Sequence, residues 1–457
     1  MSKFFSLLLL SCSVVSFSYD NIANFRNGDR LPTSTNHSSR NQDAKVDSHV
    51  FRESIPQLSS RSDLAKQGRI HHTYIHEVVF VVKQKNIDKL TLILHDVSDP
   101  RSVNYGQHMT REEIDTLTAI PEARAALLKY LQCNGATVTS ETLSGDYITA
   151  VAAMSTWEKV LNTEFYTFHR TLEDGRIDKV VRAERYWIPK ELDEHVESVF
   201  NTVQMPLWSN DRIPQVEVLE EDGGINKLGY DQYPGYTTLS KIRQVYNVGN
   251  SKGSAASTQG IFASINQYFS PSDLASFQSD SGLSNQPVKS VPYGYSSDSQ
   301  CVSDPNNCVE GNLDVQYIMG VSEGSPTTYW YSDQSFSGWL VSVANTPNPP
   351  LVISVSYGAY EVVMSSSEMN AFNTQAIKLS TMGVTLVVAS GDDGAVVRGM
   401  NSFGIGYCAY YPVFPASCPY VTTVGATAVS GGMLCLMTFT VLLLLLPPLL
   451  LLLLFSR

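Results

Sequence analysis

Two carboxylates four residues apart open the reading: Glu310 and Asp314, in the stretch Cys301 to Gly320, CVSDPNNCVEGNLDVQYIMG. On a helix that spacing puts both side chains on one face. Like charges so placed repel by about 0.2–0.5 kcal/mol when exposed and by more when buried, and no Lys or Arg between Cys301 and Gly320 neutralises them. Leu313, Tyr317, Ile318, Met319 and Gly320 give the segment an apolar body. The expectation is a buried helix that projects both acids into a cleft. A solvated acidic turn is the plain alternative, because buried acids are rare. A third acid lies in Ser390-Gly391-Asp392-Asp393-Gly394, directly after the apolar run Val384 to Ala389. Its glycines allow a tight turn that holds a carboxyl group over a cleft, or simply a turn.

The elements around these acids read as a parallel sheet. Gly260 to Asn266 (GIFASIN), Leu351 to Tyr357 and Val384 to Ala389 are short, continuous apolar strands. Between them, Ser270-Pro271-Ser272-Asp273 starts a helix with Pro at its first position, and Ser365-x-x-Glu368 caps another that runs to about Met382. Continuous apolar strands alternating with helices imply a sheet covered on both faces. In such sheets the working residues sit at the carboxyl ends of the strands.

The first half has a different order. His72 to Gln84 reads as a strand, Ile87 to Ser98 as a helix, Thr110-Arg111-Glu112-Glu113 as a capping box, and Pro121 to Asn134 as a helix stopped by Gly135. Asp146 to Met154 alternates as a strand, Ser155-x-x-Glu158 should cap a short helix to Asn162, and Thr163 to Arg170 returns as a strand. Repeated strand, helix and strand make an antiparallel α+β sandwich, ending near Pro206 before an acidic, Gly-rich stretch at 217–224 and Pro234-Gly235 that read as an exposed linker.

A chain of 457 residues suggests two or three domains. Its 43% hydrophobic and 17% charged residues fit a folded enzyme of an extracellular or vacuolar kind. A net charge of −12 argues against a nucleic-acid partner, which calls for a basic face. The start, MSKFFSLLLLSCSVVSFSYD, is built like a secretory signal peptide cleaved near Ser18 and is too short to span a membrane. Beyond it a polar, disordered leader is expected over residues 19–61, with the sequon Asn36-His37-Ser38 as a glycosylation site. Cys301 with Cys308 and Cys408 with Cys418 are spaced to close small loops, with free buried thiols as the other possibility. Neither spacing suits zinc.

Six segments in order resemble the sedolisin, or serine-carboxyl peptidase, family, most like its tripeptidyl-peptidase branch. SVNYGQHMTREEI resembles the signature of the activation prodomain and TTLSKIRQVYNVG the start of the mature catalytic domain. VEGNLDVQYIMG resembles the segment with the catalytic Glu and Asp, VSYG a strand end at the substrate cleft, VVASGDDGA the turn with the oxyanion Asp, and FPASCPYVTTVGAT the strand that follows. The resemblance implies a subtilisin-like parallel-sheet catalytic domain, incomplete at its end, over 237–432, an α+β activation prodomain over 62–206, and a linker over 207–236. It implies Glu310 as general base, Asp314 as the group that orients it and Asp392 as the protonated oxyanion donor, with Ser356, Tyr357, Gly358, Ser390 and Gly391 along the substrate cleft. A Glu base in place of His moves the reference pKa from about 6.5 to about 4.3, so the chemistry belongs to acid. Asp392 must stay protonated to donate, which calls for burial or a neighbouring anion. The expected protein is a zymogen whose prodomain loosens in acid and is cut off in the linker; its compartment is the secretory path, a lysosome or a vacuole.

Two departures accompany the resemblance. Ala359 stands after VSYG where the compared branch has an Asp, which bears on substrate choice. His71, His72 and His108 fall in the prodomain and read as ordinary or pH-sensing residues. The family continues to a Ser-Gly-Thr-Ser nucleophile and a calcium loop, whereas Ser430-Gly431-Gly432 here leads into MLCLMTFTVLLLLLPPLLLLLLFSR over 433–457. That tail reads as an aberrant coding segment or as a membrane anchor broken by Pro447-Pro448. No residue serves as the nucleophilic Ser, and the calcium ligands that the family uses are missing. The expected partners are a peptide or protein substrate and the prodomain itself, with a membrane reached only through the tail. The alternatives are an acid peptidase that trims tripeptides from N-termini or cuts internally, and a truncated, non-catalytic secreted or tethered product that acts by binding.

Overall fold

Strand β3, Ile75–Val82, shows how the two halves of the chain meet. In the computed structural model Val78, Phe80 and Val82 face the core of the N-terminal half, while Val81, with Val79 beside it, packs with Tyr147 and Phe200 against Ala371 of the C-terminal half. A strand buried on both faces needs the near-continuous apolar run it has. The described residues are 48–56, 64–171, 177–206, 237–392, 397–400, 406–409, 412–425, 427–430 and 433–436. The signal peptide, Asn36, the linker at 207–236 and the tail after 436 lie outside them.

Around β3, the N-terminal half contains β1 (His49–Ser54), β2 (Leu64–Arg69), β4 (Thr137–Glu141), β5 (Tyr147–Ala153), β6 (Phe165–Thr171), β7 (Ile177–Ala183), β8 (Arg185–Pro189) and β9 (Val196–Phe200). Its helices are α1 (Ile87–Ser98), α2 (Arg111–Thr118), α3 (Pro121–Cys133) and α4 (Met154–Val160). All pairings are antiparallel, in a four-stranded sheet β4-β5-β3-β9, a three-stranded sheet β2-β6-β7 and the pair β1-β8. The expected antiparallel α+β domain is present. Leu127 and Leu131 of α3 and Trp157 of α4 fill its core, and Trp157 Nε1 donates to His76 O at 2.8 Å.

Two expectations are corrected here. The leader was expected to be disordered to residue 61, yet β1 pairs with β8, Ile55 is 3% exposed and Arg52 bridges to Asp193 at 2.6 Å. Only Val50, Phe51 and Ile55 mark that segment as structural, and partners about 135 residues downstream hold it. Ser155 does not cap α4, which begins at Met154 with no side-chain cap. The N–H groups of Met154 and Ser155 go instead to Tyr74 O at 2.7 Å and His72 O at 3.0 Å, so the loop before β3 satisfies them.

The C-terminal half runs α5 (Leu239–Val245), β10 (Gln259–Ala263), α6 (Pro271–Asp280), α7 (Asp298–Ser303), α8 (Val309–Val321), β11 (Thr327–Tyr331), α9 (Phe336–Ala344), β12 (Val352–Val355), β13 (Ala359–Tyr360), α10 (Ser366–Thr381), β14 (Thr385–Ala389), β15 (Val397–Met400), β16 (Gly406–Ala409), β17 (Val413–Phe414), β18 (Thr422–Val424), β19 (Thr427–Ser430) and β20 (Met433–Leu436). Five strands form a parallel sheet in the order β11-β10-β12-β14-β18. One face carries Ile261, Ala263, Tyr329 and Tyr331 against Leu274 of α6 and Val315 and Met319 of α8. The other carries Phe262, Ile353, Val355, Leu386 and Val388 against Trp339 and Leu340 of α9 and Phe372 and Leu379 of α10. The strand expected to reach Asn266 ends at Ala263, because Ile265 and Asn266 both take left-handed backbone at φ 57°. The first four residues of the Leu-rich tail form β20, which pairs antiparallel with β19. Among the described residues no helix is long and apolar enough to cross a membrane.

The N-terminal half docks on α9 and α10. Leu90, Leu94 and Ile114 pack on Ile377. Lys378 and Gln375 donate to Asp146 Oδ2 at 2.7 and 3.0 Å, and Ser367 donates its N–H and its hydroxyl to Glu53 at 3.1 and 2.6 Å. Arg111 spans the seam to the carbonyls of Ala344 and Thr346.

Candidate active site

Helix α8 carries the acid pair. Glu310 is its second residue and Asp314 lies one turn on. The N-cap, Cys308, offers no side-chain bond, so capping comes from elsewhere. Gln267 Oε1 accepts from Glu310 N–H at 3.1 Å, Gln267 Nε2 donates to Asn306 O at 2.8 Å and Tyr268 N–H to Asn307 O at 2.8 Å. Cys301 and Cys308 are joined in a disulfide that ties α7 to the start of α8.

The loops after three adjacent strands converge on this helix. Gln267 follows β10. Ser356 follows β12, and its hydroxyl donates to Asp314 Oδ1 at 2.8 Å and also bonds Glu310. Asp392 follows β14, and its charge acts on Glu310. Glu310 and Asp314 are hydrogen-bonded to each other. Burial holds the Glu310 carboxyl above its ordinary range; the Ser356 hydroxyl pulls it back and the Asp392 charge adds to the rise. Asp314 is held well above its ordinary range, first by burial and then by the Glu310 charge, against the Ser356 hydroxyl. A position in the first helical turn favours a carboxylate by about 0.3–1 kcal/mol, but here burial prevails. Two acids this close share a proton and titrate as a pair.

The remaining cleft residues close in around the pair. Tyr357 leans edge-on against Phe262, ring centroids 5.3 Å apart, with its hydroxyl 3.5 Å from Ser264 O. The phenols of Tyr357 and Tyr329 are both pushed well above their ordinary range by burial and by the nearby acids. Gly358 admits β17, since a Cβ there would lie 2.4 Å from Val413 Cγ1. Gly391 turns the chain at φ 91°, and Ser390 N–H donates to Val424 O at 3.0 Å. Asp392 is exposed at the turn after Gly391, so of the two conditions expected to keep it protonated, burial is not met and a neighbouring acid, Glu310, is present. Ala359 begins β13 and pairs with Phe414, with no carboxylate at that place. Among the prodomain histidines, His108 lies at the seam, with ring atoms 2.8 Å from where a Gly383 Cβ would stand.

The second expected disulfide is corrected. Cys418 is a free thiol buried in the core beside Phe414 and Val421, with burial pushing it up to about 12. The turn after β17 carries it inward beneath the sheet, whereas Cys408 lies on the separate hairpin β15-β16. Among the described residues no group of three or more His, Cys, Asp or Glu side chains could hold a metal ion. Gln267, Tyr329 and Ser264 were not foreseen; they are polar groups in a loop and on a strand whose importance appears only once β10, β11 and α8 are packed.

Comparison with known proteins finds likenesses over most of the chain. The activation domain of pro-kumamolisin matches residues 62–205. Tripeptidyl-peptidase 1 of Rattus norvegicus is 30% identical over 384 residues, covering 80% of this chain and 64% of that protein; that of Homo sapiens is 30% identical over 364 residues, covering 77% and 61%. The chain thus spans between 61% and 64% of the length of these relatives. Pseudomonas sedolisin, solved with two molecules of pseudo-iodotyrostatin, is 24% identical with a TM-score of 0.33, covering 42% of this chain and 53% of that one, and we draw nothing from that likeness. The match to the activation domain falls on the antiparallel α+β half of the chain, ahead of the parallel sheet that carries the paired acids. These likenesses support a sedolisin-family reading of the chain.

Proposed function

We propose that the chain is the precursor form of an acid-active serine-type peptidase, with Glu310 as general base, Asp314 as the group that orients it and Asp392 as the oxyanion donor. The observation that supports this reading best is the convergence of Ser356 and Asp392, from the ends of adjacent parallel strands, on a half-buried, hydrogen-bonded Glu310–Asp314 pair. Glu310 takes the proton of an attacking hydroxyl as the O–C bond to the scissile carbonyl forms, then returns it to the leaving amine as the C–N bond breaks. Asp314, protonated, fixes the Glu310 carboxylate. Asp392 donates to the oxyanion. Residues 62–206 cover the cleft as a prodomain until the linker at 207–236 is cut. The compartment is acidic, reached by secretion, and the substrate is a peptide, trimmed by three residues or cut internally.

Ser430-Gly431-Gly432-Met433 does not match the nucleophile segment of the family, and we propose that this 457-residue polypeptide has no turnover of its own and acts, if at all, by binding. The test is to sequence the transcript beyond the Gly432 codon, express the longest product and the present chain, and assay tripeptide release between about pH 3 and 6. The longer product should be active and lose activity with Glu310→Gln, and the present chain should be silent. Light proteolysis of the present chain should leave a resistant fragment of roughly residues 48–206. An active fragment that ends before Met433 would overturn the assignment of the nucleophile.

A further inference from the structure

We propose that Gln267 is a positioning residue for Glu310, capping α8 from another loop and so setting where the Glu310 carboxylate stands. The proposal rests on the reading of Glu310 as the base. Helix α8 begins without a cap of its own, and the N–H left open at Glu310 is satisfied by Gln267 Oε1. The amide is fully committed: its Nε2 donates to Asn306 O, and the side chain is 2% exposed. The Gln267 main chain is held as well, its N–H donating to Ser264 O at 3.0 Å and its carbonyl accepting from Tyr329 Oη at 3.0 Å.

The loop that delivers Gln267 is strained. Ile265 is β-branched and takes φ 57°, a conformation rare for such a residue, and Asn266 follows it at φ 57°. Tyr331 Oη accepts from Asn266 N–H at 3.1 Å and holds the second of these turns. The helix yields on its side too: a Cβ on Gly311, next to Glu310, would sit 2.1 Å from Tyr268 O and 2.6 Å from Tyr329 Oη. Strain in the loop and a side chain omitted from the helix bring about one contact, between the Gln267 amide and the backbone of Glu310. A general cap could be supplied by any residue at the N-cap; this one is tied through Tyr329 and Tyr331 to the sheet. The first helical turn is thereby referenced to the strand ends that carry the rest of the site.

The test uses the full 457-residue chain and needs no turnover. A water-soluble carbodiimide with an amine labels protonated carboxyls, and peptide mass spectrometry follows labelling of Glu310 across about pH 3.5 to 7.5, with exposed Glu112 as reference. In the parent chain Glu310 should be labelled to a higher pH than Glu112. Gln267→Met keeps the shape but cannot bond: labelling of Glu310 should fall about threefold to tenfold at fixed pH as the first turn opens to water, with its midpoint moving towards that of Glu112. Hydrogen exchange over residues 315–321 should not change, which separates positioning from general loosening of α8. Gln267→Glu should restore the parental behaviour below about pH 4, where it is neutral and can bond both partners. If Gln267→Met leaves the Glu310 midpoint in place, or moves it only together with exchange across the whole helix, the inference is overturned. If Glu310 already follows Glu112 in the parent chain, the reading of Glu310 as a half-buried base fails instead.

Discussion

Replacing Glu368 by Gln should stabilise the chain at neutral pH and leave it unchanged in acid. Glu368 lies in the first turn of α10, 2% exposed, where the N-terminal half docks. One carboxyl oxygen has no hydrogen-bond partner. Burial pushes its pKa up from 4.5 to about 7; Ser335 opposes this by a hydrogen bond, the Glu53 charge adds to it, and Arg182 offsets it only in part. The folded state therefore binds this proton more tightly than the unfolded chain does. The stability so gained is complete below about pH 4.5 and disappears as pH rises through about 7. At about 1.4 kcal/mol per tenfold in proton affinity, the difference is about 3 kcal/mol.

Urea unfolding of the chain and of Glu368→Gln, followed by Trp fluorescence between about pH 4.5 and 8, reads this directly. The two should agree near pH 4.5 and separate by about 1–3 kcal/mol at pH 8, with the variant the more stable and the urea dependence unchanged. Profiles that stay parallel over that range would refute the reasoning. The result also bears on processing. Glu53 and Arg182 belong to the N-terminal half, so a protonated Glu368 tightens the hold of the prodomain as pH falls from 7 towards 5, opposite to the general expectation of loosening. Asp146 works the other way. Burial would raise it, but Lys378, Thr142 and Gln375 outweigh this and hold it below 3.8, so the stability it contributes is lost only below that value. Cleavage in the linker is accordingly expected only below about pH 4.

The same seam gives a second prediction: Asp146→Asn strands Lys378, whose side chain is 7% exposed, and should cost about 3–5 kcal/mol, while adding Lys378→Met should recover much of it in a double-mutant cycle. In the active, longer product, Glu310→Gln and Asp314→Asn should each lower kcat by several orders of magnitude and the double change by little more, because the two share one proton-transfer task; additive losses would give one of them a separate role. Ser356→Ala removes a hydroxyl that pulls both acids down, so the acid limb of the pH–rate profile should move upward, by an amount readable as a shift in its midpoint.

How far the sequence discloses this molecule depends on whether a feature is local. The i, i+4 spacing of Glu310 and Asp314 on α8, the capping box at Thr110 and the Ser365 cap of α10 were legible because helical geometry and first-turn bonding depend on residues at most four apart. The parallel sheet was legible from its apolar runs, although Thr327–Tyr331 and Phe336–Ala344 were not assigned, since neither shows a clear period. Ser155 had the right local pattern and failed, because the loop at His72 and Tyr74 reached its backbone first.

The parts that escaped are those in which a residue acts on one far away. Strand β1 is six mostly polar residues whose order comes from β8, and nothing within it announces that partner. Gln267 lies 43 positions from Glu310, and its own neighbours look like an ordinary strand end. The strain at Ile265 makes sense only once Tyr329 and Tyr331 are known to stand beside it. The acids that perform proton transfer must share a helical turn, so their spacing is recorded in the sequence. The groups that aim them can come from any neighbouring strand end, and the sequence leaves their identity open until the sheet order β11-β10-β12-β14 has been fixed. For that reason substitutions around Gln267, rather than at the acids themselves, are the sharper test of whether this sheet was assembled to serve Glu310.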